Sequence, residues 1–180
     1  MQRTDLNRLL QDLLAISQKL WSAQAELELG LHASELIIDA FPGELSQALL
    51  NLVVNATQAI EEKAAKAPGL IRVSSEKRDG LAVVEIHDDG AGIPQEVGEH
   101  IFNPFFTTRE QGKGSGQGLT LSHDVIVRRH GGKLSFESIP GEGTTFTICL
   151  PLPQEGERSS PAVDNRETVE IDRDVCAHIE

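Results

Sequence analysis

Two cysteines, Cys149 and Cys176, are all that this 180-residue chain contains, far apart and without a second Cys or a His at the roughly two- to four-residue spacer usual for zinc ligands. That excludes a disulfide framework and a zinc site of ordinary spacing, and it fits a reducing compartment, so the cytoplasm is expected. Positive charge is scarce as well: 16 Lys and Arg face 28 Asp and Glu, a formal net charge of -12. A field of that sign opposes nucleic acid phosphates and anionic membrane faces, so neither is expected as a partner, and any anionic ligand has to be held by local chemistry. Long apolar runs are missing too. No uninterrupted stretch approaches the roughly 18 to 20 residues of a membrane span, and the amino end MQRTDLNRLL lacks the apolar core of a signal peptide.

What is present, 39% hydrophobic residues over this length, supports one domain with a substantial core. Thr4 or Asp5 can cap a first helix, in which Leu6, Leu9, Leu10, Leu13, Leu14 and Ile16 recur at helical spacing to about Leu20. Leu27, Leu29 and Leu31 alternate with polar neighbours and the run Leu36 to Ile38 follows, which predicts two strands or a hairpin. A long helix is expected from about Glu44 to Lys63. The segments Ile71 to Ser75 and Leu81 to Ile86 then read as a strand pair around Arg78-Asp79-Gly80. Residues 89 to 115 lack periodicity and read as a long loop with one short helix, and loops of that length in compact domains are usually functional. A helix from about Gln117 to His130 stops at Gly131-Gly132, and strands Lys133 to Ser138 and Thr144 to Leu150 follow. Residues 154 to 180 carry eight acidic and three basic side chains, so 153–180 reads as an acidic disordered tail or linker behind a domain at 1–152. Helices interspersed with hairpin-linked strands predict an α+β fold, a two-layer α/β sandwich with helices on one face of a mixed sheet.

Four constellations carry chemistry. On the long helix, at about 100° per residue, Leu45, Leu49, Leu52, Ala56 and Ile60 form a core stripe, and Gln47, Asn51, Asn55 and Gln58 form a second stripe beside it. Asn is a poor helix-interior residue, so helix stability did not place these amides. They read either as a solvated polar face or as a wall for polyphosphate and Mg²⁺, to which the Asn55 carbonyl can supply one hard oxygen. The second constellation, Asp88-Asp89-Gly90-Ala91-Gly92-Ile93-Pro94, follows a buried strand. It reads as an ordinary Asp-Gly turn or as a base-reading loop, in which Asp88 accepts from the amino group of adenine and repels the carbonyl of guanine. Gly90 and Gly92 would then allow positive φ and close approach of the backbone to the base.

The third, Gly112-Lys113-Gly114-Ser115-Gly116-Gln117-Gly118, runs directly into the apolar helix that starts with Leu119, a geometry suited to phosphate and less to a flexible linker. It is no Walker A loop, because Thr107 stands where the first glycine would be, and no G-x-G-x-x-G follows a strand. Arg109 and Lys113 are cations able to reach a β or γ phosphate, or else solvated loop charges. The fourth, Gly141-Glu142-Gly143-Thr144-Thr145, is by itself a plain hairpin turn.

Together and in this order, the four segments resemble the N, G1, G2 and G3 boxes of the GHKL ATPases, and Phe102 to Thr108 resembles the F box of histidine kinases, the run Ile101-Phe102-Asn103-Pro104-Phe105-Phe106-Thr107-Thr108 being particularly kinase-like. The resemblance covers about residues 1–152. It implies a Bergerat ATP-binding fold with ATP and Mg²⁺ as cofactors. It implies Asn55 as the Mg²⁺ ligand, Asp88 on adenine, Thr144 or Thr145 assisting the base through water, and residues 106–115 as the ATP lid. The implied ATP-binding set is Asn51, Asn55, Gln58, Asp88, Gly90, Gly92, Ile93, Phe106, Thr107, Thr108, Gly114, Ser115, Gly116, Gln117, Gly118, Leu119, Thr144 and Thr145, with Asn51, Arg109 and Lys113 as the catalytic set. In GHKL hydrolases the residue one turn before the Mg²⁺ ligand is a water-activating glutamate. Here it is Asn51, whose amide cannot act as a general base, so the resemblance implies transfer of the phosphoryl group rather than hydrolysis.

A phosphoacceptor is missing. In complete histidine kinases the acceptor His is followed by an acidic residue and, a few positions on, usually by proline, and none of the six His fits. His123-Asp124 is nearest but has no proline after it; His87 reads as a strand residue and His130 as a helix end. The expected partner is therefore a histidine-bearing dimerisation domain, in the same longer protein or another, and indirectly a response regulator. Met1 is expected to be an internal boundary rather than a natural start. Two other readings share the boxes: an anti-sigma-type serine kinase, opposed by the F box and the lead-in helix, and a module that senses ATP without transferring it.

Overall fold

The computed structural model describes residues 1–63, 68–98, 100–104 and 117–153. Its elements run β1 (Gln2–Asp5), α1 (Leu6–Ile16), α2 (Gln18–Trp21), β2 (Ala25–Gly30), β3 (Ile37–Ala40), α3 (Pro42–Lys63), β4 (Gly69–Arg78), β5 (Leu81–Asp88), α4 (Gln95–Gly98), α5 (Gly118–His123) continuing into a π-helical segment (Asp124–Arg129), β6 (Lys133–Ile139) and β7 (Gly143–Pro151). Five strands form one mixed sheet in the order β2-β4-β5-β7-β6, with β2 parallel to β4 and the other pairs antiparallel.

Side chains two apart share a face of a strand. Ile71 and Val73 of β4, Ala82, Val84 and Ile86 of β5, and Phe146, Ile148 and Leu150 of β7 therefore make one apolar face, and all are buried. The buried α3 stripe Leu45, Leu49, Leu52, Ala56 and Ile60 covers it, each large side chain contributing roughly 1.5 to 3 kcal/mol. The opposite face carries Arg72, Glu85 and Thr147. The architecture is the expected two-layer sandwich with helices on one side.

Local chemistry sets the element ends. Asp5 caps α1, its carboxylate accepting the Asn7 N–H at 3.0 Å, whereas the Thr4 hydroxyl turns back to the Gln2 carbonyl. Pro42 opens α3, where its fixed φ suits the first helical turn and its missing N–H is not needed. The β4–β5 hairpin closes through Asp79 and Gly80, at φ +50° and +78°, the left-handed pair that a two-residue turn requires. At the far end of α3, buried His130 accepts the Phe41 N–H at Nε2 (3.0 Å) and places Nδ1 at 2.8 Å from the Val125 carbonyl, tying the π-helical segment to the start of α3.

One expectation is corrected: the first helix is broken at Ser17 into α1 and α2. Of the alternatives around Leu29 and Ile38, two strands or a hairpin, the structure shows two strands that do not pair with each other. β2 joins the main sheet beside β4, and β3 pairs with β1, which the sequence reading did not anticipate. The cause is topological: the long helix α3 carries the chain across the sheet, and such a crossover puts β4 parallel to β2. β1 is short and exposed, with no apolar alternation to announce it. The 154–180 tail lies outside the described residues.

Candidate functional site

Ala82, Val84 and Ile86 point inward from β5, and the same period of two brings Asp88, at the strand's end, onto the buried face. A carboxylate stands where the next apolar side chain would be. Asp88 has 0% exposure; one oxygen, Oδ1, accepts the Gly90 N–H at 2.9 Å, and Oδ2 is buried with no hydrogen-bond partner among the described residues. Burial pushes its pKa up from 3.8 to about 6, while the Gly90 and Thr144 backbone N–H groups pull it back, Asp89 adds repulsion and Lys63 attraction. An unmet buried acceptor is worth about 1 to 3 kcal/mol to whatever donor reaches it.

The loop after Asp88 is braced on both sides. Ala91 donates to the Ala59 carbonyl of α3 at 2.9 Å and accepts from the Gly141 N–H at 2.7 Å, while the Asp89 side chain accepts the Leu70 N–H at 2.8 Å. Gly90 has no positive φ; a Cβ there would press on the Ala59 backbone at 2.5 Å. Gly92 does have positive φ, +71°, and a Cβ there would strike the Ile139 carbonyl of the β6–β7 hairpin. Both glycines thus let the loop pack between helix and hairpin, and the positive φ expected of the pair is found at Gly92 alone. The next residue, Ile93, donates its N–H to the Ser138 Oγ at 2.7 Å.

Along α3 the half-buried amides line up with this loop. Asn51 accepts from Gln47 Nε2 at 3.1 Å and reaches the Gly118 carbonyl at the start of α5 with its Nδ2 at 3.4 Å. Four residues on comes Asn55, and four further Ala59, the residue against which Gly90 and Ala91 pack. Each step advances the helix by about 6 Å. One line of helix surface therefore joins the α5 start, through Asn55 and near Gln58, to the Asp88 loop. Ser122, fully buried, pins α5 to α3 through the Ala48 carbonyl at 3.0 Å. Among the described residues no group of three His, Cys, Asp or Glu could hold a metal ion alone; Asn55 offers one neutral oxygen on the helix.

The structure separates the two threonines that sequence left as alternatives. Thr144 pairs with Asp88 across β5 and β7, shares its face and is 2% exposed. Thr145 lies on the opposite face, where its Oγ1 is 3.0 Å from His87 Nδ1, so strand alternation keeps it away from Asp88. Gln117, Gly118 and Leu119 stand at the start of α5. Phe106, Thr107, Thr108, Arg109, Lys113, Gly114, Ser115 and Gly116 lie outside the described residues. Ser138 was missed: Leu134 and Phe136 set an inward stripe on β6, and a serine at the next inward position is a polar break that could have been noticed.

The class is defined by this sandwich with its braced carboxylate loop. The solved catalytic domain of the histidine kinase ThkA, in nucleotide-free form, superimposes with a TM-score of 0.71 at 30% identity, over 84% of this chain and 97% of that one. A mycobacterial sensor histidine kinase, MprB, gives 0.70 at 25% identity over 84% and 97%. The chain belongs to the histidine kinase-, DNA gyrase B-, and HSP90-like ATPase family, whose family model matches residues 41–154. Among curated relatives, the sensor histidine kinase ZraS of Escherichia coli K12 is 36% identical over 153 residues, 84% of this chain and 31% of ZraS. The sensor kinase CckA of Brucella abortus is 36% identical over 169 residues, 88% of this chain and 18% of CckA. The chain thus spans less than a third of the length of these relatives. No helix among the described residues is long and apolar enough to cross a membrane.

Proposed function

We propose that this chain is the Mg·ATP-binding catalytic domain of a sensor histidine kinase, which donates the γ-phosphoryl group of ATP to a His on a separate dimerisation domain. The observation that carries the reading is Asp88: a fully buried carboxylate whose Oδ2 lacks a partner among the described residues, set beside an amide-bearing helix. Such an acceptor fits the exocyclic amino group of adenine, which donates, and rejects guanine, which presents a carbonyl at that position.

From that anchor the other roles follow along α3. Thr144 stands beside Asp88 at the base edge. Asn55 would give Mg²⁺ one oxygen, and the ion when bound supplies charge neutralisation to the phosphates. Gln58 borders the same wall, and Asn51, against the α5 start, orients the terminal phosphate without removing a proton from water. Arg109 and Lys113 are assigned to the phosphate charge, and 106–115 to the cover over it. Holding ATP in line and shielding it from hydrolysis is most of what phosphoryl transfer asks of a protein. The relatives ZraS and CckA, both sensor kinases, support this assignment. ThkA has been solved in complex with the response regulator TrrA, at 27% identity and TM-score 0.68 over 87% of this chain and 43% of ThkA. A response regulator is accordingly the partner proposed downstream, in the cytoplasm.

The test mixes the chain with γ-labelled ATP and Mg²⁺, alone and with the His-bearing dimerisation domain of a related kinase. Acid-labile label on the added domain, and none on this chain alone, is expected. Label on a serine of the added protein, or nucleotide binding with no transfer to any acceptor, would overturn the kinase assignment.

A further inference from the structure

Ser138 lies on β6 directly opposite Thr144 of β7 and touches three groups. Its half-buried Oγ accepts the Ile93 N–H at 2.7 Å, donates to the Gly143 carbonyl at 3.0 Å, and stands 2.9 Å from the Thr144 Oγ1. A serine hydroxyl has one proton and two lone pairs. The Gly143 carbonyl can only accept, so it takes the proton; the Ile93 N–H can only donate, so it takes one lone pair. One lone pair remains for Thr144, whose own hydroxyl must then donate to Ser138. Thr144 is left with acceptor capacity alone on the face it shares with Asp88.

We propose that Ser138 is a specificity-determining positioning residue: by consuming the Thr144 proton it makes Thr144, like ionised Asp88, an acceptor toward the base edge, so that a 6-amino purine is admitted and a 6-oxo purine is repelled. This inference rests on the ATP-binding reading above. Without Ser138 the Thr144 hydroxyl can rotate and donate to a 6-carbonyl, and the discrimination relaxes although Asp88 is untouched. The same serine couples the Asp88 loop to the hairpin through Ile93, so a merely structural role would weaken all nucleotides equally.

The experiment measures dissociation constants of ATP and inosine triphosphate, which differ at the purine 6-position and its neighbouring N1, for the wild type, Ser138→Ala, Ser138→Thr, Thr144→Val and the Ser138→Ala/Thr144→Val double variant, with unfolding curves as a check on folding. The wild type is expected to prefer ATP, Ser138→Ala to reduce that preference about 10-fold, and Ser138→Thr to restore most of it. Thr144→Val should reduce the preference by itself, an arm that stands even if the serine variant fails to fold; where the serine variant folds, Ser138→Ala should add nothing in the Thr144→Val background. An unchanged preference in Ser138→Ala, with both nucleotides weakened alike, overturns the proposal and leaves ATP binding standing. A wild type that binds neither nucleotide overturns the ATP-binding reading instead.

Discussion

Replacing Asp88 by Asn should make the nucleotide-free protein less sensitive to pH while it abolishes adenine recognition. Burial raises the Asp88 pKa from 3.8 to about 6, so between about pH 4 and 6 the folded protein holds a proton that the unfolded chain releases. Stability then falls as pH rises through that window and stays lowered above it. Two pKa units at 1.36 kcal/mol each correspond to about 3 kcal/mol in full, of which about 2 to 3 develops between pH 4 and 8. Asn keeps the bond from the Gly90 N–H to Oδ1 and removes the charge. The stability difference between variant and wild type should therefore move by about 2 to 3 kcal/mol in favour of Asp88→Asn from pH 4 to 8, with the packing cost of the new amide cancelling. The single tryptophan, Trp21, is buried and reports urea unfolding across that range. In the same samples the amide N–H₂ faces the adenine amino group donor to donor, and ATP affinity should fall about 10- to 100-fold. Wild-type affinity should also weaken below about pH 6, as the free-state carboxyl protonates. Parallel pH–stability curves for the two proteins would refute the argument that burial of an ionised Asp88 destabilises the free domain.

Other perturbations follow from the same geometry. His130→Ala deletes the clamp between Phe41 and Val125 and should cost about 2 to 4 kcal/mol in urea unfolding, through the loss of one buried and one half-buried hydrogen bond and through a cavity. Because that clamp lies at the opposite end of α3 from the Asp88 loop, ATP affinity of the folded variant should change less than about 3-fold, below the ~1 kcal/mol of a typical hydrogen bond. Gly90→Ala should destabilise by about 1 to 3 kcal/mol, since its Cβ has to displace the Ala59 backbone, and should weaken ATP in calorimetry by moving the loop. Asn55→Ala should bring the affinity for ATP in Mg²⁺ down to that in chelator, whereas the wild type is expected to bind ATP more tightly with Mg²⁺ than without it.

The core was legible because periodicity speaks directly about burial: the α3 stripe from Leu45 to Ile60 and the alternation through β5 and β7 are both where they were expected. Strand partnership was not legible, since β2 and β3 look alike locally and only the path of α3 across the sheet assigns them to different sheets. Asp88 could be singled out because a carboxylate at the inward position of an apolar strand is expensive unless something meets it. The choice between Thr144 and Thr145 needed the register with β5, which no local pattern encodes. Of the two glycines, Gly92 has the positive φ that was expected and Gly90 does not; the neighbours that require both, Ile139 and Ala59, are distant in sequence and no local pattern encodes them. Ser138 went unnoticed for a related reason: its importance lies in three partners on two other segments.

The central claim is that Asp88 reads the amino group of adenine. Calorimetric titration of the domain in Mg²⁺ with ATP and with purine riboside triphosphate, which lacks only that amino group, tests it most directly. The account predicts binding of ATP about 10- to 100-fold tighter in the wild type and no difference in Asp88→Asn. Equal affinity of the wild type for the two nucleotides would contradict it.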